Sequence, residues 1–562
     1  MRFTKKQMGL LFFGFVSIYL AAWITQTHFL IENDNLWLLR LSSTILRHHG
    51  NYWHNFFETN PPLAILLYAP ELILEKLLPL SHITGLRIYF FLCATLSIRL
   101  CYTLIKKIFL EIDSNVALVF LLTLTFVFLI LPNQALGQRE HFYVLLSTPY
   151  LLLTVCRMEK KTVSLGLAIV IGVLGAIGFS IKPYFLATFI LIELYTLFVL
   201  SKKNVRKTGS NLAHLIRPET LCVLLFLLLY LLVIFIFFQP YLFKIIPISM
   251  RFYYGSIVSS WQLLLLAPIN LFCLLSFLAY FLLYKKIRQK NFGMMLMLML
   301  LGNFIIYISQ QSNWLYHFLP EFSAAILCDV FLCATYIQHY RQREGTLAVT
   351  AVTVFIFFYP LYFLSAEIAK NDRIKKQFMP LVHFLKTTTP HQPVYLITGS
   401  SPFLFSIFEY GNVQFHSHFE FLLWMRRYSE KNYLKARTPQ QKQDANQLSG
   451  IFAKDIETHQ PTLVFVNASC VIVKNKKCLF TPYLQSLKQN NQFRSAWKPY
   501  HFIFTLYTHD LFAYQVYARK KNQPRSRAID SPNCKDFPAS KSKSKFTLLC
   551  SNNKITVEPN LK

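Results

Sequence analysis

The chain is poor in acids, shows no internal repeat, and carries few ionisable residues away from the ends of its apolar runs. Asp and Glu total 26 against 57 Lys and Arg in 562 residues, a formal net charge of +31. An excess of that size invites a nucleic-acid reading. The basic residues, however, gather between apolar runs and at the end of the chain, with no recognition motif beside them, so the charge reads as membrane topology plus a tail. The missing repeat removes the usual sequence sign of a secondary transporter. Arg99 and Glu193 are the chief ionisable exceptions within apolar runs, and each stands near enough to an end to snorkel. The first apolar run, about Met8 to Thr27, has no convincing small-residue cleavage site and is longer than a signal-peptide core, so it is expected to be a retained span.

What is present is apolar: 54% hydrophobic residues, with 53 Phe and 30 Tyr. That composition predicts a polytopic α-helical membrane protein. Windows of about 20 apolar residues predict about eleven transmembrane helices, near 8–27, 86–105, 115–132, 142–156, 163–180, 184–200, 220–239, 262–284, 292–309, 320–338 and 347–365. Lys106 and Lys107, Arg157 with Lys160 and Lys161, Lys202 to Lys207, Lys285 to Lys290, and Arg341 with Arg343 fall in alternate loops, which sets the amino end in the cytoplasm. Residues 1–368 then form the transmembrane domain, with a first outer loop at 28–85. Residues 369–520 form a soluble outer domain of α/β type, in which Pro393 to Ser400 and Pro461 to Asn467 read as buried strands and Phe502 to Arg519 as a closing pair. Residues 521–562, rich in Lys, Ser, Asn and Pro, are expected to be a basic disordered tail. Seven of the 11 Cys lie in or beside apolar runs and read as small buried hydrophobes. Cys470 and Cys478 flank a hydrophilic turn and suit a hairpin disulfide in an oxidising compartment.

The first outer loop is the most informative stretch. Glu32, Asp34 and Glu58 are carboxylates between two apolar runs, and from Trp37 to Arg47 polar and apolar residues separate at helical spacing. This predicts a helix lying in the bilayer interface with Asp34 near its amino end. Asn60, Pro61 and Pro62 open a second short helix within Leu63 to Leu78. Further outer span ends add Arg139, Glu140 and His141, then Lys182, Lys244, Arg251, Tyr316 and His317. Interfacial anchoring is the ordinary role of any one such charge. A collection of acids and bases on one side also suits transfer of a sugar from a lipid phosphate. A carboxylate deprotonates the acceptor on one face of the anomeric carbon, and cations stabilise the departing phosphate on the other.

An acid after the first span, Asn60-Pro-Pro-Leu63 after an amphipathic helix, an acidic motif opening the fourth span and Tyr316-His-Phe-Leu-Pro320 opening the tenth come in that order. Over roughly residues 1 to 365 this order resembles the membrane glycosyltransferases of the C-type fold, in the bacterial branch related to protein O-mannosyltransferases and to the aminoarabinose transferase of lipid A. The resemblance implies a glycosyltransferase of the bacterial inner membrane with a periplasmic C-terminal domain, working on a polyprenyl-phosphate sugar donor and a glycan, lipid or protein acceptor. It implies Asp34 as general base, with Glu32 as the other candidate and Glu140 as a supporting acid. Arg139, Lys182 and His317 match the positions that hold the lipid phosphate, and Arg251 is a further candidate. The paired Asp-Glu of the mannosyltransferases is absent, since Asn35 follows Asp34. The alternatives are a transporter or flippase of lipid-linked glycan, or a non-catalytic subunit of an envelope assembly. No cofactor is predicted. A divalent metal stays open, because His416, His418 and Glu420 alternate along a strand-like stretch with zinc-compatible spacing, though incidental surface histidines are commoner.

Overall fold

The computed structural model describes residues 3–109, 114–204, 217–254, 265–312, 314–340, 362, 365–373, 375–376, 378–379, 381–387, 389–399, 404–422, 424, 438–468, 470–472, 478–480, 483–507, 513–520, 546–551 and 554–559. The chain divides into two compact units, one of residues 1–48, 60–239 and 257–371, the other of 49–59, 240–256 and 372–562. Residues 49–59 and 240–256 thus belong to the same unit as the C-terminal region.

In the first unit, α1 (Lys5–His28) starts at a capping box in which Thr4 and Gln7 satisfy each other's backbone N–H groups. Then come α2 (Asn33–His48), α3 (Pro62–Leu66), α4 (Ala69–Leu77) and α5 (His82–Phe109). The interfacial helix expected from Trp37 to Arg47 is α2, begun one turn earlier with Asp34 in its first turn. The second is divided at Leu67 and Tyr68 into α3 and α4; Pro61 caps α3 with extended backbone, and Pro70 sits in the first turn of α4, where its missing N–H costs nothing. The unit continues with α6 (Ser114–Leu129), α7 (Arg139–Met158), α8 (Leu165–Ser180), α9 (Leu186–Asn204), α10 (Pro218–Phe237), α11 (Pro268–Leu283), α12 (Lys290–Gln310) and α13 (Leu315–Tyr340).

Among the described residues seven helices are long and apolar enough to cross a membrane, and Ser114–Leu129 and Leu165–Ser180 are shorter apolar helices. Most of the eleventh expected run, 347–365, lies outside the described residues. Helix α10 exposes Leu225, Leu228, Leu231, Phe235 and Phe237 around most of its surface, as a helix does when its solvent is apolar. By contrast α7 is buried almost throughout. It is joined to its neighbours by Asn303 of α12. Tyr143 of α7 and Thr188 of α9 donate to the Asn303 amide oxygen at 2.8 and 3.1 Å, and the Asn303 amide nitrogen donates to the Pro320 carbonyl of α13 at 2.8 Å. One buried amide so sets four helices against each other.

Two departures from sequence expectation stand inside this bundle. Glu193 does not snorkel. It is buried, and it accepts hydrogen bonds from Tyr150 and Arg217. Glu321 and Asp329 of α13 are buried carboxylates inside the tenth apolar run, where the sequence reading named no acid; Asp329 accepts from Ser276 at 2.7 Å, and among the described residues neither Glu321 oxygen has a hydrogen-bond partner.

In the second unit β1 (Val394–Ile397) and β2 (Leu463–Asn467) fall within the two stretches expected as buried strands, and they run parallel to each other. Strands β3 (Cys470–Ile472) and β4 (Cys478–Phe480) form a hairpin, while the side chains that would make the Cys470–Cys478 disulfide lie outside the described residues. Strands β5 (Tyr500–Tyr507) and β6 (Ala513–Arg519) are antiparallel and complete a sheet of order β1-β2-β6-β5. In the stretch beyond Lys520, expected to be disordered, β7 (Phe546–Ser551) and β8 (Lys554–Pro559) pair as an antiparallel hairpin. The short β-forming runs Phe-Thr-Leu-Leu and Ile-Thr-Val account for it despite the polar composition around them.

Candidate active site

The site is built on the chain entry to α7. The turn ahead of it needs glycine: Gly137 has φ +79°, and a Cβ there would lie 2.1 Å from the Phe90 ring. The turn is clamped from α2, where the Asn35 amide donates to the Leu136 carbonyl at 2.8 Å. The Tyr68 hydroxyl, between α3 and α4, lies 2.8 Å from the Gly137 carbonyl and 2.9 Å from the Asn35 amide oxygen. His141 finishes the clamp. Its Nδ1 accepts from the Gly137 N–H at 3.0 Å, so its Nε2 carries the proton and donates to the Phe128 carbonyl at 2.9 Å. His141 is therefore a structural residue. These bonds hold Asp34 opposite the first turn of α7.

There the Arg139 guanidinium donates through Nη2 to Asp34 Oδ2 at 2.6 Å. Arg139 is 3% exposed and Asp34 26%, so the carboxylate opens to solvent while its partner is enclosed. The next residue, Glu140, is fully buried. Its Oε1 accepts from Lys182 Nζ at 2.6 Å and lies 3.8 Å from His317 Nε2. Lys182 precedes the Pro183–Phe185 turn into α9, and His317 is in the first turn of α13, with Nδ1 2.7 Å from the Ser312 hydroxyl. Arg139 and Lys182 also lie 5.6 and 5.9 Å from the ring centre of Tyr316, within cation–π range. Gln138 donates to Glu32.

Burial, reinforced by the neighbouring Asp34 charge, pushes the Glu32 carboxyl up to about 8. Burial likewise lowers the Lys182 ammonium to about 8, against the pull of Glu140. The Tyr68 hydroxyl is raised by burial and stays protonated.

Three consecutive residues hold buried polar atoms that have no hydrogen-bond partner among the described residues: Gln138 Oε1, Arg139 Nε and Nη1, and Glu140 Oε2. Buried polar groups are nearly always paired, so such a cluster is the mark of a place where a ligand completes the bonding. The unused guanidinium face can take an anion and the unused carboxylate oxygen a hydroxyl or amine.

Of the residues singled out in sequence, Glu32, Asp34, Arg139, Glu140, Lys182 and His317 come together here. Arg251 belongs to the second unit, where its guanidinium is taken by Asp444 at 2.6 Å, and Glu58 and Lys244 fall in that unit too. Pro61 and Pro62 shape the entry to α3. His418 is held by the Trp53 carbonyl and His416 by Gln414, and with Glu420 they make no metal-ligand group among the described residues. Gln138, Tyr68 and the clamping role of Asn35 were missed. The Gly-Gln-Arg-Glu-His run carried a usable signal for Gln138, but nothing in sequence ties Tyr68 to a turn 69 residues away.

No protein-family model matches the chain, and no curated protein matches it. Among solved structures it is similar to ArnT from Cupriavidus metallidurans, a crystal structure with undecaprenyl phosphate bound, at a TM-score of 0.48 and 11% identity over 81% of this chain and 92% of that one.

Proposed function

We propose that the chain is a glycosyltransferase, moving a sugar from a polyprenyl-phosphate donor to an acceptor at the outer face of a bacterial inner membrane, with Asp34 as general base. The observation that carries this reading is the unspent bonding capacity of Arg139 and Glu140 beside the solvent-open Asp34 carboxylate. Asp34 takes the proton of the acceptor hydroxyl as its oxygen bonds to the anomeric carbon. The bond from that carbon to the phosphate oxygen breaks, and its electron pair leaves on the lipid phosphate. Arg139, with two unused nitrogens, and Lys182 supply positive charge for that phosphate, and His317 stands beside them. Glu140 holds Lys182 in place and keeps one oxygen for a sugar hydroxyl. Burial holds Glu32 protonated up to about pH 8, which argues against it as the base. About eleven spans, an outer C-terminal domain and a cytoplasmic amino end belong to the same proposal.

The deciding experiment uses the full chain purified in lipid with a panel of polyprenyl-phosphate monosaccharides, following free polyprenyl phosphate. Release by the wild type and its loss in Asp34→Asn supports the reading; normal turnover by a folded Asp34→Asn removes Asp34 as base.

One observation favours a transport reading: Glu321 and Asp329 are buried acids within a helix of spanning length. Under that reading no donor is cleaved, and Glu321→Gln abolishes movement of lipid-linked glycan across proteoliposomes.

A further inference from the structure

The geometry points to a binding site for one divalent cation, of the class that accepts both carboxylate and imidazole ligands, formed by Glu71, Glu75 and His82 where α4 meets α5. Glu71 and Glu75 are one helical turn apart and so share a face of α4. His82 is the first residue of α5, after the Leu78–Ser81 turn. One ligand atom from each of the three lies within 4.8 Å of the others.

An acidic pair near a histidine is by itself common on protein surfaces, but Glu71 is not on the surface. It is 1% exposed, its Oε1 lies 3.5 Å from His82 Nδ1, and its Oε2 is buried with no hydrogen-bond partner among the described residues. A carboxylate removed from water with an oxygen left unbonded is costly unless a cation meets it. The backbone makes room for this group: a Cβ on Gly85 would stand 2.6 Å from Glu71 Oε1. Arg47, from the last turn of α2, offers a protein cation, yet it engages only Glu75, through Oε2 at 2.6 Å. That pair leaves Glu75 Oε1 and the Glu71 carboxylate to a metal.

Two oxygens and an imidazole nitrogen suit zinc or manganese better than magnesium, which favours an all-oxygen shell. Metal–ligand bonds of about 2.0–2.2 Å need the three atoms to close to roughly 3–4 Å. Glu75 and His82 are only part-buried and can swing to do so, while Glu71 stays fixed. A bound ion would tie α4 to α5 and, through Glu75 and Arg47, draw in the end of α2. It would staple the helices that carry Asp34 without touching the reacting groups.

The test is metal binding by the full chain, stripped with chelator and titrated with zinc chloride or manganese chloride in lipid nanodiscs, with content measured by mass spectrometry. The expected result is about one equivalent per chain and a raised melting temperature. Glu71→Gln or His82→Asn should weaken binding by at least about tenfold. Arg47→Gln should keep or tighten it, since it frees Glu75, whereas in a purely salt-bridged site it would only loosen the fold. If Glu71→Gln does not fold, Glu75→Gln at a part-exposed position carries the same expectation. Retention of well under one equivalent of either metal by the wild type, or equal binding by wild type and ligand variants, overturns the proposal.

Discussion

Helix α7 ends in two charged clusters that differ in a way that separates architecture from chemistry. At its C-terminal end Arg157 grips Glu219 with two bonds of 2.9 and 3.0 Å, and Arg217 bonds Glu193, which also accepts from Tyr150 and Thr220. Every carboxylate oxygen there has a donor. Arg217 keeps two buried nitrogens, Nε and Nη1, without hydrogen bonds among the described residues, and its Nη1 lies 3.8 Å from Glu219. At the N-terminal end Glu140 keeps an unbonded oxygen among the described residues, and Asp34 faces solvent beside Arg139. A cluster whose carboxylates are all bonded holds helices together, and one that leaves a buried carboxylate oxygen unbonded beside a solvent-facing acid waits for a ligand.

The sharpest way to break this comparison is to remove one acid from each end. Asp34→Asn should lower polyprenyl phosphate release by roughly 10²- to 10⁴-fold, with a smaller loss of stability than an acid removed from the other end, because Asp34 is part-exposed and an Asn amide oxygen can still accept from Arg139. Glu219→Gln should do the reverse. It leaves Arg157 and Arg217 short of a partner and should cost about 3–5 kcal/mol in denaturant unfolding, while turnover per folded molecule stays near wild type. If both variants lose stability and neither loses turnover selectively, the two ends do not differ in kind.

Next in size is the pH response of the open end. Lys182, lowered to about 8, carries its charge below that pH and loses it above, so KM for the donor should rise as pH passes through about 8. Lys182→Arg should carry the rise to higher pH. A KM flat to pH 10 in the wild type would remove Lys182 from the phosphate site.

Glu32 gives a smaller effect, of opposite meaning. Its folded pKa, about 8, lies above the ordinary carboxylate value near 4.5. Between those values the folded chain holds a proton that the unfolded chain has released. Stability therefore falls as pH rises from about 4.5 to about 8. Glu32→Gln should flatten that part of the curve measured by thermal unfolding. The smallest expected change is Tyr68→Phe, which removes one buried hydroxyl at the clamp and should cost about 1 kcal/mol, with a modest loss of turnover because Asp34 and Arg139 are less firmly held.

Much of the cluster at the N-terminal end of α7 was legible because its chemistry is local. Asp34, Arg139 and Glu140 begin helices, Lys182 precedes one and His317 is in the first turn of another, so they stand at the ends of apolar runs that hydropathy finds easily. Glu321 and Asp329 escaped notice for the converse reason. A hydropathy window averages a lone acid into the apolar residues around it, and only packing against Ser276 on another helix explains how Asp329 is tolerated. Arg251 was grouped with the outer-end charges by its place in sequence, but its partner lies 193 residues away in the other unit.

The sequence by itself determined where helices start and stop, which runs are apolar and which acids and bases stand at their ends. Those follow from local rules of capping, proline placement and hydropathy. Which of those charges meet was decided only by the tertiary structure. Asp34 pairs with Arg139 because Asn35 and Tyr68 clamp a turn more than sixty residues away, and Glu140 meets Lys182 and His317 because Asn303 sets four helices in register. Contacts of that range depend on side-chain packing in three dimensions, which no linear spacing encodes.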